Sequence, residues 1–151
     1  MLLKYVRSAL SIKQRYIEKD EFDRGIRNIF NYGHSFGHAI ESATYYGVPH
    51  GVAVTMGMDM ANFIAVKRGL LPEPHFERMH PILRKNYASY AATAIPLDAL
   101  LSALMKDKKN TSTALRLIFP VGPEAAMQAV PVPSDASFRS QCEQFLGEMT
   151  G

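Results

Sequence analysis

The sequence predicts a mainly α-helical single domain with one small, late β-hairpin. Three observations lead there: long stretches with apolar residues at helical spacing, one segment whose side chains alternate, and a length of 151 residues, enough for one domain to bury its own core. Composition sets further limits. The chain is 47% hydrophobic and 21% charged, ordinary for a soluble protein, and has no apolar run near the roughly 20 residues a membrane span needs. A net charge of +3 carried by scattered basic residues argues against a nucleic-acid surface and suits a small anionic ligand. The single cysteine, Cys142, has no partner for an internal disulfide, which fits a reducing, cytoplasmic setting.

Taken in order, Leu2, Val6, Ala9, Leu10 and Ile17 put an apolar stripe on a first helix. Lys4, Arg7 and Lys13 interrupt it, so the segment lacks the continuous apolar core and cleavage site of a signal peptide and reads as a helix of the fold. The polar connector EKDEFDRG leads into a helical stretch from about Gly25 to Tyr46, ended by Gly47 and Pro49. Residues 51–69, GVAVTMGMDMANFIAVKRG, are apolar nearly all round, which predicts a central buried helix stopping at Gly69, with Met56, Met58 and Met60 as core filler. The next segment, PHFERMHPILRKNY, reads as a surface helix that gives His75 and His80 plain surface roles. Ile95 and Pro96 introduce a short amphipathic helix, LDALLSALMKDKK, whose basic run KDKK at 106–109 reads as a solvated helix end. ALRLIFP then alternates, and with VGPEAAMQAVPVP it predicts a two-stranded hairpin turning near Gly122 and Pro123. Ser134 is placed to cap a last helix reaching about Leu146.

The stretch GHSFGHAIESATYYGVPHG, residues 33–51, carries three of the five histidines, each beside a glycine. At about 100° per residue, Asp23, Arg27, Asn31, His34, His38 and Glu41 would share an arc of roughly 80° on one continuous helix. An exposed face of that length usually carries Lys and Glu, whereas this one carries Asn and two His next to Gly33 and Gly37, where close approach is easy. His34 and His38, at i and i+4, have the spacing to grip one zinc ion, but Ser35, Phe36 and Gly37 between them lack the general-base Glu of H-E-x-x-H, so a zinc protease is excluded. His50, just before the buried helix, offers another imidazole, and spacing alone leaves both pairings open. Lys13 falls on the apolar side of the first helix, which places it either as a snorkelling side chain or in an anionic site. Neither G-x-G-x-x-G after a strand nor G-x-x-x-x-G-K-[ST] occurs, so the chain shows no nucleotide-binding fingerprint.

The run DEFDRGIRNIFNYGHSFGHAIE, followed by VPHGVAVTMGM, closely resembles the C-terminal domain of 3-dehydroquinate synthase, within the wider sugar phosphate cyclase family. The resemblance extends from the helix bearing Lys13 to the late DKK motif, and N-x-G-H-x-x-x-H-A-I-E is its specific core. It implies a helical metal- and substrate-binding domain that follows an N-terminal NAD-binding domain not seen in this chain. It makes His34 and His50 ligands of Zn2+, or of another divalent metal such as Co2+, with a glutamate of the other domain as third ligand. His38 would face the substrate phosphate and assist proton movement, and Lys13 would contact the hydroxyl and carboxylate region. Arg27, Asn31 and Lys108 would bind phosphate. Asp23 matches another substrate-binding position, where the family usually has glutamate, and Val52 stands where the family usually reads H-G-E.

The implied reaction turns 3-deoxy-D-arabino-heptulosonate 7-phosphate into 3-dehydroquinate and phosphate. NAD transiently oxidises a secondary alcohol, the ketone acidifies the adjacent C–H, phosphate leaves by β-elimination, and after re-reduction the ring opens and recloses by an aldol step. A homodimer is also implied. The alternatives are another sugar phosphate cyclase, a metal-dependent alcohol or glycerol dehydrogenase, which would not need the Arg27 and Asn31 pair, and a non-catalytic helical module. By itself the chain is expected to do no chemistry.

Overall fold

The computed structural model describes residues 1–22, 25–107 and 114–150, the side chain of Thr150 excepted. Six α-helices and one antiparallel hairpin make up the described chain, in keeping with the mainly helical class read from the sequence. Helix α1 (Leu2–Lys19) forms where the apolar spacing placed it, yet none of its residues is buried. Its stripe of Leu2, Val6, Leu10 and Ile17 is exposed. Tyr16 nevertheless meets Phe30 edge-on, with ring centroids 5.1 Å apart.

The long helix expected from Gly25 to Tyr46 is in fact two pieces, a 3-10 helix (Ile26–Asn31) and α2 (His34–Ala43). Asp20 fixes where the first piece begins, and Gly33 separates it from the second. The Asp20 carboxylate accepts hydrogen bonds from the backbone N–H of Gly25 and of Arg27, tightening the entry. Gly33 then takes φ +77, a left-handed conformation that interrupts the helical path and that glycine alone adopts cheaply.

Helix α3 (His50–Lys67) is the buried centre, with Met56, Met60, Ala61 and Ile64 fully covered, and it ends at Arg68 and the left-handed Gly69. It crosses α2 at very short range. A Cβ on Gly57 would stand 2.2 Å from the Gly33 carbonyl oxygen, and one on Gly37 would stand 2.9 Å from Val54 Cα. Only hydrogen at these positions lets the two backbones approach so closely.

Helix α4 (Glu73–Tyr87) is largely a surface helix, as expected, but His80 does not have the plain surface role assigned to it. Its Nδ1 lies 2.8 Å from Oδ2 of the fully buried Asp59 on α3, and Tyr87 Oη donates to the same oxygen. His75 stays at the surface, with Nε2 2.6 Å from the Pro123 carbonyl in the hairpin turn. Helix α5 (Leu97–Lys106) inserts Leu100 and Leu104 into the core.

Strands β1 (Ala114–Val121) and β2 (Ala126–Pro133) pair in antiparallel register, with Leu117 opposite Val130, and turn through Gly122–Ala125 as predicted. Leu115, Leu117 and Phe119 point into the core, while Arg116 and Ile118 line a cavity on the other face, the period of two that a strand imposes. Helix α6 (Ala136–Thr150) closes the core through Phe138, Cys142, Phe145 and Met149. Its cap is Asp135 rather than Ser134: Asp135 Oδ1 accepts from Phe138 N–H at 2.9 Å.

Candidate functional site

The close crossing of α2 and α3 brings the three histidines together. Ring centroids lie 5.8 Å apart for His34 and His50, 5.9 Å for His34 and His38, and 5.4 Å for His38 and His50. His34 and His38 project from one face of α2, and His50 opens α3 after the Val48–Pro49 turn.

Each ring has its Nδ1 engaged by the protein. His34 Nδ1 is 3.3 Å from the Tyr32 carbonyl oxygen. His38 Nδ1 is 3.0 Å from Glu41 Oε2, and His50 Nδ1 is 3.1 Å from the same oxygen and 3.2 Å from Oε1. Carbonyl and carboxylate oxygens only accept, so these bonds place a proton on Nδ1, and in the neutral form of each ring they leave the Nε2 lone pair free. That is how proteins present imidazoles to a metal, with the far nitrogen tied to an acceptor. Imidazole donors also suit zinc or cobalt. The residues present therefore fit a divalent cation. Burial pushes the Glu41 carboxyl upward, but hydrogen bonds from His50 and His38 and their charge outweigh it, and its pKa falls below the ordinary carboxylate value.

Two hollows flank these rings. Lys13, Arg27, Phe30, Asn31 and His34 line one of about 570 Å³, between α1 and the 3-10 helix. Asn28, Asn31, His34, His38, Asp107 and Arg116 line the other, of about 310 Å³, against the outer face of the hairpin. Asn31 and His34 border both. Five of the residues singled out in the sequence, Lys13, Arg27, Asn31, His34 and His38, thus line two hollows that share Asn31 and His34, with the His50 ring packed against His34 and His38. Asp23 and Lys108 lie outside the described residues. Arg27 is oriented by Nη1 donating to the Glu21 carbonyl at 3.3 Å.

Sequence reasoning missed Arg116 and Asn28 and gave Glu41 no role. Arg116 had a signal: a lone cation between Leu115 and Leu117 in an alternating strand must face away from the core. Which cavity it would reach depends on how the hairpin packs, which no local pattern carries. Asn62 and Tyr32 form a further support, because Tyr32 Oη donates to Asn62 Oδ1 on α3 while the Tyr32 carbonyl holds His34. Burial pushes the Tyr32 phenol up to about 12, so it remains a donor.

Residues 1–110 match the family model described as 3-dehydroquinate synthase C-terminal. A 3-dehydroquinate synthase of Prochlorococcus marinus (strain MIT 9215) is 37% identical over 120 residues, covering 79% of this chain and 33% of that protein. One from Sulfurovum sp. (strain NBC37-1) is 36% identical over 123 residues, 81% of this chain and 35% of that protein. Among solved structures, 2-deoxy-scyllo-inosose synthase complexed with carbaglucose-6-phosphate, NAD+ and Co2+ matches with a TM-score of 0.70 and 26% identity, over 91% of this chain and 39% of that one. The chain spans about a third of the length of the curated relatives it matches. With residues 1–110 matched by the family model and a relative 37% identical over 79% of its length, the chain belongs to the 3-dehydroquinate synthase family, and to the C-terminal part of it.

Proposed function

We propose that this chain is the metal- and substrate-binding part of a 3-dehydroquinate synthase, which as a whole protein converts 3-deoxy-D-arabino-heptulosonate 7-phosphate to 3-dehydroquinate and phosphate in the shikimate pathway. The observation that carries this reading is the placement of His34 and His50, 5.8 Å apart with each Nδ1 tied to an acceptor, beside hollows bearing Lys13, Arg27 and Arg116. His34 and His50 hold the cation, Zn2+ or Co2+, together with a ligand from an N-terminal NAD-binding domain. When bound, the cation polarises an alcohol oxygen and NAD+ supplies the hydride chemistry.

The chain's own side chains do the rest. Arg27, Asn31 and Arg116, joined by Lys108, hold the phosphate dianion by charge-assisted hydrogen bonds and so fix it as a leaving group. Lys13 meets the substrate's hydroxyl and carboxylate end. His38, its Nδ1 on Glu41, has Nε2 free to accept or return a proton near the departing phosphate. No described helix is long and apolar enough to cross a membrane. The reading extends to a cytoplasmic location, supported by a lone thiol that is buried, and to a homodimer, which sedimentation of the full-length protein would measure.

The test is phosphate release from the heptulosonate phosphate by the full-length protein with NAD+ and Zn2+. His34→Ala or His50→Ala is expected to reduce turnover by more than the roughly 10- to 100-fold that loss of a mere supporting partner costs, and to lower bound metal. Wild-type rate and metal content in both variants would remove the zinc assignment. Turnover of a different sugar phosphate in place of this one would move the protein to another cyclase of the group. No turnover of any sugar phosphate would leave a helical binding module.

A further inference from the structure

We infer that Glu41 is a positioning residue: one buried carboxylate accepts hydrogen bonds from His38 and His50 together, locking both in the same tautomer and at a fixed separation. The inference rests on the reading of His50 as a metal ligand only where it concerns metal affinity. The geometry itself is independent of any metal.

Glu41 is 8% exposed, whereas the side chains of His38 and His50 are 63% and 55% exposed. Two imidazoles open to solvent have free rotation to lose, and a fixed acceptor beneath them removes it. Oε2 sits 3.0 Å from His38 Nδ1 and 3.1 Å from His50 Nδ1, and Oε1 is 3.2 Å from His50 Nδ1. Two N–H donors require two acceptor sites at one place. A carboxylate supplies them with acceptors on both sides of His50; an amide could accept both bonds at one oxygen, but its NH2 would then stand where Oε1 lies 3.2 Å from His50 Nδ1, donor against donor. Glutamate at position 41 therefore satisfies both rings without setting a donor against either of them. The consequence is coordination between two roles: the ring that holds the cation and the ring that carries a proton cannot turn independently.

The same atoms admit another assignment, in which Glu41 and the two Nδ1 atoms themselves ligate a cation, since their donor atoms lie within 4.8 Å of one another. That arrangement would leave out His34, whose Nδ1 is turned to the Tyr32 carbonyl. With Glu41 as an acceptor, all three rings present Nε2 instead.

Long-range 1H–15N NMR correlations of the histidine-labelled, metal-free chain in mildly alkaline buffer would test this. His38 and His50 are both expected as the Nδ1–H tautomer in the wild type. In Glu41→Gln, one of the two is expected to switch to Nε2–H, with the amide spectrum elsewhere unchanged, and zinc affinity by chelator competition is expected to fall about 10- to 100-fold. Either ring found as Nε2–H in the wild type would overturn the inference, as would a Glu41→Gln chain with unaltered tautomers. Zinc perturbing the Nδ1 rather than the Nε2 resonances would also overturn it, making Glu41 a ligand. Wild-type tautomers as expected but no zinc bound by the full-length protein would sink the metal reading while the positioning role held. Should Glu41→Gln fail to fold, the wild-type tautomers still decide.

Discussion

Asp59 has no exposed surface, and of its two oxygens only Oδ2 has partners among the described residues, His80 and Tyr87; Oδ1 and the neighbouring Asn62 Nδ2 have none. Burial raises its pKa above 3.8, outweighing the hydrogen bonds from Tyr87 and His80 and the charges of His80 and Arg84. Between 3.8 and that raised value the folded chain binds more protons than the unfolded one. The stability this contributes is therefore full below the window and is lost as pH rises through it. Asp59→Asn removes the dependence, so in urea titrations the stability of wild type minus that of the variant should fall as pH rises from below 3.8. A difference that stays flat would show that Asp59 titrates alike in both states. At this scale, His34, His38 and His50 were legible because histidine beside glycine is rare enough to stand out. The partnership of Asp59 and His80 was not, since 21 residues separate them and only the packing of α4 on α3 joins them.

The crossing of α2 and α3 is where an element's sequence and its geometry part company. Hydrophobic spacing predicted one helix through residues 25–46, because Gly33 is tolerated within a helical pattern and nothing local reveals its left-handed backbone. The break falls where the Gly33 backbone packs against Gly57 of α3. Gly57→Ala should gain a little helix propensity and lose more from a Cβ only 2.2 Å from the Gly33 oxygen, for a net loss of about 2 kcal/mol in chemical denaturation. Gly147 makes the control, since it is exposed on α6 with nothing within 4 Å of an added Cβ. Gly147→Ala should stabilise the chain by about 0.5–1 kcal/mol. Equal effects at the two positions would deny the crossing its special tightness. The hairpin, by contrast, was readable because alternation and a Gly-Pro turn are both local signals.

For the molecule as a whole, the central buried helix and the layers around it were foreseeable from the nearly continuous apolar run at 51–69. The outermost element was foreseeable only in part: spacing specified α1 as a helix, but not that its apolar stripe would lie in solvent. Burial is a property of the whole assembly, and a stripe states a need for cover without saying what meets it. The hollows beside the histidines share this dependence, for their walls come from α1, the 3-10 helix, α2 and β1, brought together only when the chain is folded.

Cys142, wholly covered within α6, gives all of this a built-in clock. Burial lifts its thiol to about 12, and the thiolate is the form that reacts. A disulfide reagent should leave the native chain unlabelled and modify it only in moments when the last helix has come away. Where reclosing is fast, the labelling rate follows the population of those openings, changing about tenfold for each 1.4 kcal/mol. Gly57→Ala would then label faster, and Gly147→Ala more slowly, than the parent; identical rates in all three would mean that α6 detaches without the core noticing.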